Sequence, residues 1–329
     1  RDHISWILQT HYGWTPSLTT KSGKAVIDET VLKDIGTDIA LSFLKLLDLT
    51  KQLGMISEGV NAWQKLCTKS RIHHHCSVAT ATFRCAHRTP NLGQVPSDER
   101  FRRLFTATPG LRLAAADLSG IELRMLAHYL ARFDEGRYAE VLINGDIHQE
   151  NADKIGITRS QVKTVTYAFL YGAGDIKIGH SYDKQLSEDK ARKKGKEIRT
   201  AYVNAIPGLK ELLEGVHKAS ERGFLYGLDH RRILVDSRHK SLNYLLQGSS
   251  AILAKKWMVI THDHIKEMDL HCHQLAFIHD ELQFESKPEH VDDLKSLLVL
   301  SAAEAGEYYN MRIPVAAEAK DGINWGETH

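Results

Sequence analysis

The stretch TRSQVKTVTYAFLYGAG, residues 158–174, carries Arg159, Lys163, Tyr167 and Tyr171 at intervals of four. With 3.6 residues per helical turn, that spacing lays two cations and two aromatics along one slowly drifting face. Thr158 is a good N-cap, so a helix is predicted from about Thr158 to Gly172. Such a stripe suits a ligand with a polyphosphate at one end and a flat base at the other. Acidic segments flank it in sequence: DLSGIE, residues 117–122, and His279-Asp280-Glu281. Carboxylates for metal together with cations for phosphate point to phosphoryl transfer.

The surroundings of the two acidic segments read as a frame for them. LRLAAAD, residues 111–117, reads as a short buried strand ending at Asp117, and ELRMLAHYLARF as the helix after it. QLAFIHDELQFES, residues 274–286, alternates as two strands around a tight His-Asp turn. Between them the chain is mostly helical, and residues 241–268 read as one long helix. A last helix is expected over about 288–305. Residues 1–70 are mostly helical in pattern, with Leu32, Ile35, Ile39, Phe43, Leu46 and Leu47 recurring at helical spacing. Residues 71–116 are short, β-prone and broken by Pro90 and Pro96. Strands drawn from separate parts of the chain, with a helical insertion, imply an α+β palm carrying a helical subdomain.

Asp117 and Asp280 are thus expected at strand ends, where side chains can point into a cleft. Two such carboxylates could hold two Mg2+ ions about 3.5–4 Å apart. The competing reading of each Asp alone is a turn residue or an ion-pair partner. Arg159 suits a bidentate grip on a terminal phosphate. Lys163, one turn on, is placed to neutralise and protonate a leaving pyrophosphate. The competing reading for this pair is a solvated helix face, which the aromatics on the same stripe argue against. Tyr171-Gly172 could stack on a base.

The bulk numbers bound this reading. The 329 residues, 42% hydrophobic and 26% charged, suffice for one large or two to three ordinary soluble domains. No run of about 18 apolar residues occurs, so no helical membrane span is expected. The opening RDHISWILQT reads as the start of a fragment or processed chain. A net charge of +2 hides basic clusters at Arg100/Arg102/Arg103, Lys190–Arg199 and Arg231/Arg232. The segment KARKKGKEIR fits a nucleic-acid-facing surface or a solvated helix face equally. Four cysteines without a CxxC pair suggest reduced thiols and a cytosolic setting. The His73–Cys76 and His271–His273 runs lack zinc-finger spacing, so zinc is not expected. No GxxxxGK[ST] occurs, which argues against a P-loop ATPase.

DLSGIELR, R-x3-K-x3-Y-x3-YG and HDE, in this order, resemble motifs A, B and C of family A DNA polymerases. SEGVNAWQKLC, RTPNLGQVP, LAHYLARFDEGRYAEVLINGDIH and LNYLLQG extend the resemblance over nearly the whole chain, most of all to replicative polymerases of T-odd podoviruses. The resemblance implies an α+β right-hand polymerase fold: an antiparallel-sheet palm, helical fingers and a partial helical thumb. It places the thumb portion at 1–70, the palm at 71–122 and 229–329, and the fingers at 123–228. Asp117 and Asp280 would be the metal carboxylates, with the Leu118 carbonyl as a further ligand of Mg2+, for which Mn2+ can substitute. Arg159, Lys163 and His148 would hold the triphosphate. Tyr167 would face the sugar, and Glu122 would be the gate against a 2′-hydroxyl. Tyr171 would sit by the templating base. Arg84, Asn91, Asn243 and Gln247 would contact primer or template, and His279 and Glu281 would support the primer end.

The implied partners are primer–template DNA, a dNTP, and a separate exonuclease or thumb portion or a processivity factor. The implied setting is the host cytoplasm of a phage. The sequence departs from the family pattern in places. Phe83 and His230 stand where Gly is usual, Ala168 likewise, and Leu118 replaces Tyr. The stretch between His75 and Arg84 is shorter than usual. No Asp-x-Glu strand precedes the motifs, so no proofreading by this chain is expected. Two rival readings share these features: a single-subunit RNA polymerase, and a degenerate polymerase-like DNA-binding subunit.

Overall fold

The computed structural model describes residues 1–20 and 22–329. The chain divides into two units, Arg1–His75 with Arg88–Pro90, and Cys76–His87 with Asn91–His329. The first unit is built on α1 (Asp2–Tyr12), α2 (Glu29–Ile35) and α3 (Asp38–Leu53), followed by a π-turn and a two-residue strand pair. Its small core gathers Ile4, Leu8, Ile27, Leu32 and Ala40. Asp28 and Thr37 cap α2 and α3 by accepting backbone N–H bonds, which separates two helices a propensity scale alone would merge.

The second unit carries a four-stranded antiparallel sheet. Its strands are β1 (Arg112–Leu118), β4 (Cys272–Ile278), β5 (Glu281–Ser286) and β6 (Ala317–Gly322), in the order β6-β1-β5-β4. A separate hairpin pairs β2 (Phe224–Tyr226) with β3 (Arg232–Leu234). Leu113, Ala114, Ala115 and Ala116 are all buried, so β1 is covered on both faces, which is why it reads as an unbroken apolar run. Register is unbroken between β1 and β5, from Asp117 opposite Glu281 to Arg112 opposite Ser286. The β4–β5 ladder instead shifts between Gln274 and Ala276.

The helices of this unit are α4 (Ile121–Leu130), α5 (Arg137–Asn144), α6 (Ile147–Ile155), α7 (Arg159–Leu170), α8 (Asp175–Tyr182), α9 (Glu188–Ala205), α10 (Leu209–Ser220), α11 (Ser241–Glu267) and α12 (Val291–Tyr308). α12 packs on β1 and β6, and α11 packs on α12. Trp257 on α11 is fully buried there and donates its indole N–H to the Leu298 carbonyl at 2.9 Å. α8 and α9 touch backbone to backbone. A Cβ on Gly195 would lie 1.8 Å from the Asp175 carbonyl oxygen, so only glycine permits this approach.

The strand ending beside Asp117, the His-Asp hairpin and the long helix over 241–267 match expectation. The last helix runs three residues later than expected, to Tyr308, and β6 was not expected at all. β6 holds only Ala, Glu, Lys, Asp and Gly, and it exists by pairing with β1 rather than by β-propensity. On α9, Ala191, Gly195, Ile198 and Tyr202 are buried, while Lys190, Arg192, Lys193 and Lys196 are exposed. The basic run is therefore the outer face of an amphipathic helix.

Candidate active site

The two acidic segments meet at the ends of paired strands. The Leu118 N–H donates to the Asp280 carbonyl at 3.0 Å, and Asp117 stands opposite Glu281 in the ladder. Burial first, and then Glu281 beside it, push the Asp117 carboxyl up to about 6. Burial first, and then Asp117, push Asp280 up to about 7. Two half-buried acids, each raised by burial and by neighbouring carboxylates, make a site short of positive charge. Glu281 differs. Burial would raise it, but hydrogen bonds from His329, Gln283 and Trp325 hold it below the usual range. Gln283 Nε2 donates to it at 2.5 Å and Trp325 Nε1 at 2.7 Å, while His329 Nδ1 lies 3.4 Å away. Glu281 is thus a buried structural acid, and Asp117 and Asp280 are the pair with unmet charge.

Among the described residues, no group of three or more His, Cys, Asp or Glu is arranged to hold a metal. Magnesium needs fewer: one or two protein carboxylates serve, with phosphate and water oxygens completing the shell. The Asp117/Asp280 pair fits that requirement, because burial and neighbouring carboxylates leave both groups in want of positive charge.

Glu122 lies in the first turn of α4, after Gly120 in the left-handed region has reversed the chain. Its carboxylate accepts from Arg84 Nη2 at 2.5 Å and from the Tyr171 hydroxyl at 3.2 Å. Burial first, and then the charges of Glu122 and Asp280, raise the Tyr167 phenol. Two of the three residues that hold or flank Glu122 come from the stripe, which joins α7 to the sheet.

α7 begins where expected. Thr158 and Gln161 form a reciprocal capping box. Val162, Val165 and Phe169 are buried on one face, and Arg159 and Lys163 are exposed on the other. The helix ends at Leu170, however, so Tyr171 is its C-cap residue and not part of the helical stripe. Gly172, in the left-handed region at φ 70°, ends the helix with its amide and that of Ala173 bonded back to Phe169 and Ala168, Asn243 Nδ2 takes the Leu170 carbonyl at 2.9 Å, and the Tyr171 hydroxyl reaches Glu122. Arg159 does not stand free. Its Nε pairs with Asp146 at 2.6 Å, and Asp146 also caps α6 through the His148 and Gln149 amides. His148 is buried against Tyr167, with ring centroids 6.3 Å apart, and burial and then Arg159 lower its imidazole. Lys163 makes no hydrogen bond or ion pair among the described residues, and neither cation bonds to the carboxylates.

The remaining expected residues surround this centre. His279 lies in the hairpin turn with φ 60°, a left-handed conformation costly for a non-glycine residue. A Cβ on Gly93 would lie 3.4 Å from both His279 Nε2 and Asn91 Oδ1, so these two side chains flank Gly93. Asn243 and Gln247 are one turn apart on α11, both half-buried. Phe83 and His230 both have positive φ, 59° and 60°. The Phe83 carbonyl accepts from Lys255, and Arg231 stacks over its ring at 5.4 Å. Sequence reasoning did not foresee Asp146, Trp325, Gln283, His329 or the buried Arg102, which lies 4.9 Å over the Trp325 ring. The one available signal was a Trp in a polar C-terminal segment.

A sequence profile of DNA polymerase family A matches residues 1–327. The DNA-directed DNA polymerase of Enterobacteria phage T3 is 33% identical over 377 aligned positions, covering all of this chain and 52% of the relative. That of Escherichia phage T7 is 32% identical with the same coverage. The DNA polymerase I of Caldicellulosiruptor bescii is 30% identical over 79% of this chain. The chain spans about half the length of the two phage relatives. Among solved structures, the polymerase domain of Pol1 from M. smegmatis, in complex with DNA primer-template and dNTP, superposes with a TM-score of 0.84. It is 22% identical, over 98% of this chain and 60% of that one. The likeness shows the α+β right-hand fold expected from the motifs.

Proposed function

From a chain that belongs to DNA polymerase family A, we infer template-directed DNA synthesis: transfer of a nucleotide from a dNTP to a primer 3′-hydroxyl, with release of pyrophosphate. The observation that carries this reading is the Leu118–Asp280 backbone bond, which joins the strand ends that bear Asp117 and Asp280. Family membership implies a divalent cation, and we assign two Mg2+ ions held by Asp117, Asp280 and the Leu118 carbonyl. When bound, these ions would supply the positive charge that favours attack on the α-phosphorus and departure of pyrophosphate.

The protein's own groups do the rest. Lys163, exposed and unpaired, neutralises the leaving pyrophosphate and donates its proton to it. Arg159 exchanges Asp146 for the terminal phosphate, an exchange of one ion pair for another. His148, kept neutral by burial and the adjacent cations, hydrogen-bonds a phosphate oxygen. Tyr167 packs under the sugar. Glu122, fixed between Arg84 and Tyr171, fills the space of a 2′-hydroxyl. His279, Asn91, Asn243, Gln247 and Arg84 line the primer–template side, and Glu281 supports the primer end through the wall that Trp325 and Gln283 build.

In this reading residues 1–70 belong to the thumb, 71–122 and 229–329 to the palm, and 123–228 to the fingers. The partners are primer–template DNA and dNTPs, with an exonuclease or processivity element supplied separately, in a host cytoplasm. No helix among the described residues is long and apolar enough to cross a membrane. Magnesium-dependent primer extension tests the reading. Wild type extends a primer with dNTPs in preference to rNTPs, and Glu122→Ala relaxes that preference. Absence of extension by a folded, DNA-binding protein overturns it.

A further inference from the structure

A cleft of about 590 Å3 opens in the second unit, walled by α10, the end of α4, the β2–β3 hairpin and the segment after α12. Its volume lies in the range of small-molecule sites. None of its lining residues is Asp or Glu, yet Arg132, Arg222 and Arg312 all border it. Arg132 makes no hydrogen bond or ion pair among the described residues. Arg222 is held over the Phe224 and Tyr226 rings at 4.7 and 4.9 Å, with only its Nε bonded, to the Phe224 carbonyl. Arg312 donates its backbone N–H to His128 Nδ1 at 3.1 Å and its Nη1 to the His128 carbonyl at 3.5 Å. Burial first, and then the Arg312 and Arg132 guanidinium groups, push the His128 imidazole down to about 4.

The floor of the cleft is apolar, from Leu212, Val216, Leu225 and Leu245, and exposed rings of Phe133 and Tyr226 stand at its edge. Gly215 adds a second observation. It sits inside α10, where glycine costs about 0.5–1 kcal/mol relative to alanine. A Cβ there would meet nothing within 4 Å, so packing does not require the glycine. What its bare backbone provides is room in the cleft.

We propose that this cleft is a second nucleotide-binding site, in which the arginines hold phosphate and the edge rings stack on the base. Guanidinium groups grip phosphate in bidentate fashion, and aromatic faces take any base. The nucleotide is either free or one link of an unpaired strand, and both present the same phosphate and ring. The site stands apart from Asp117, Asp280 and α7, and it does not depend on the polymerase reading.

The test is calorimetric titration in EDTA on an Arg159→Ala/Lys163→Ala background, which weakens the candidate dNTP grip. The probes are ATP, inorganic pyrophosphate and the single strand (dT)10. Onto that background go Arg132→Glu with Arg222→Glu, which reverses charge, and separately Gly215→Leu, which fills the cleft without touching charge. Gly215→Met replaces it should the leucine variant not fold by circular dichroism. ATP or (dT)10 is expected to bind the background protein and to weaken at least threefold in both kinds of variant, with ATP tighter than pyrophosphate. Loss confined to ATP identifies a free nucleotide as the source; loss of (dT)10 binding, with ATP competing for it, identifies a strand. Less than threefold weakening of both ligands in either kind of variant overturns the proposal, as does pyrophosphate binding as tightly as ATP. Primer extension by the cleft variants in an otherwise wild-type chain is read separately, so failure here leaves the polymerase reading standing.

Discussion

The two halves of the candidate site are built on opposite terms. The helix half, α7, is locally ideal: a capping box at one end, one buried face, and cations left in solvent. The sheet half is locally costly. Burial and neighbouring carboxylates raise both Asp117 and Asp280, His279 turns with positive φ, and Phe83, beside the Arg84 that holds Glu122, does the same. The contrast teaches that the cationic side can form from nearby residues alone, whereas the acidic side persists only because the surrounding sheet imposes it.

The largest expected effect breaks the acidic half. Asp117→Asn or Asp280→Asn should lower primer extension at least about 100-fold while DNA binding persists. Extension near the wild-type rate in either variant would refute the assignment. The same substitutions should stabilise the metal-free protein. An acid whose folded pKa lies above its unfolded value of about 3.8 weakens the fold fully above pH 7 and not at all below 3.8. In EDTA at pH 8, Asp280→Asn should therefore be more stable by up to roughly 4 kcal/mol, and the gap should close as pH falls toward 4. Urea melts at both pH values check this, and an unchanged gap would mean that the acids do not burden each other.

Backbone strain comes next in size. Phe83→Gly should stabilise the chain by up to about 1 kcal/mol, because glycine occupies positive φ without the Cβ clash. A loss instead would show that the Arg231 stacking outweighs the conformation. The helix half should respond least. Asp146→Asn releases Arg159, and the dNTP KM should fall by roughly two- to fivefold, the scale of one exposed ion pair. Steady-state kinetics with a fixed primer–template measure it, and a higher KM would mean that Asp146 positions Arg159 rather than competing for it. Lys163→Ala should change stability by less than about 0.5 kcal/mol, as expected for an exposed, unpaired side chain.

This contrast also explains what could be read from the sequence. The stripe on α7, the strand ending beside Asp117 and the His-Asp hairpin are periodic patterns of adjacent residues, and each formed as expected. Tyr171 left the stripe because Gly172, in the left-handed region, ends the helix before it, and the carbonyl this leaves at Leu170 is taken by Asn243, more than seventy positions away. The same holds for β6, whose alanines and charges form a strand only through β1. Glu281 was expected to support the primer end; Gln283, two residues on along β5, is a local partner, but Trp325 and His329, which complete its surroundings, lie beyond the last helix. Even the departures at Phe83 and His230 were visible only as unusual residues; the coordinates reveal that both keep the left-handed geometry glycine would favour.

The β4–β5 ladder slips by one position near Gln274, whereas β1 and β5 run in step along their full pairing. Because alternate residues of a strand point to opposite faces, a single insertion in either inner strand would turn one acid away from the other. The outer strand already absorbs such an irregularity. Lengthening β4 by one residue should thus be a mild injury, and lengthening β1 or β5 by one should silence the chain without disturbing any side chain's identity.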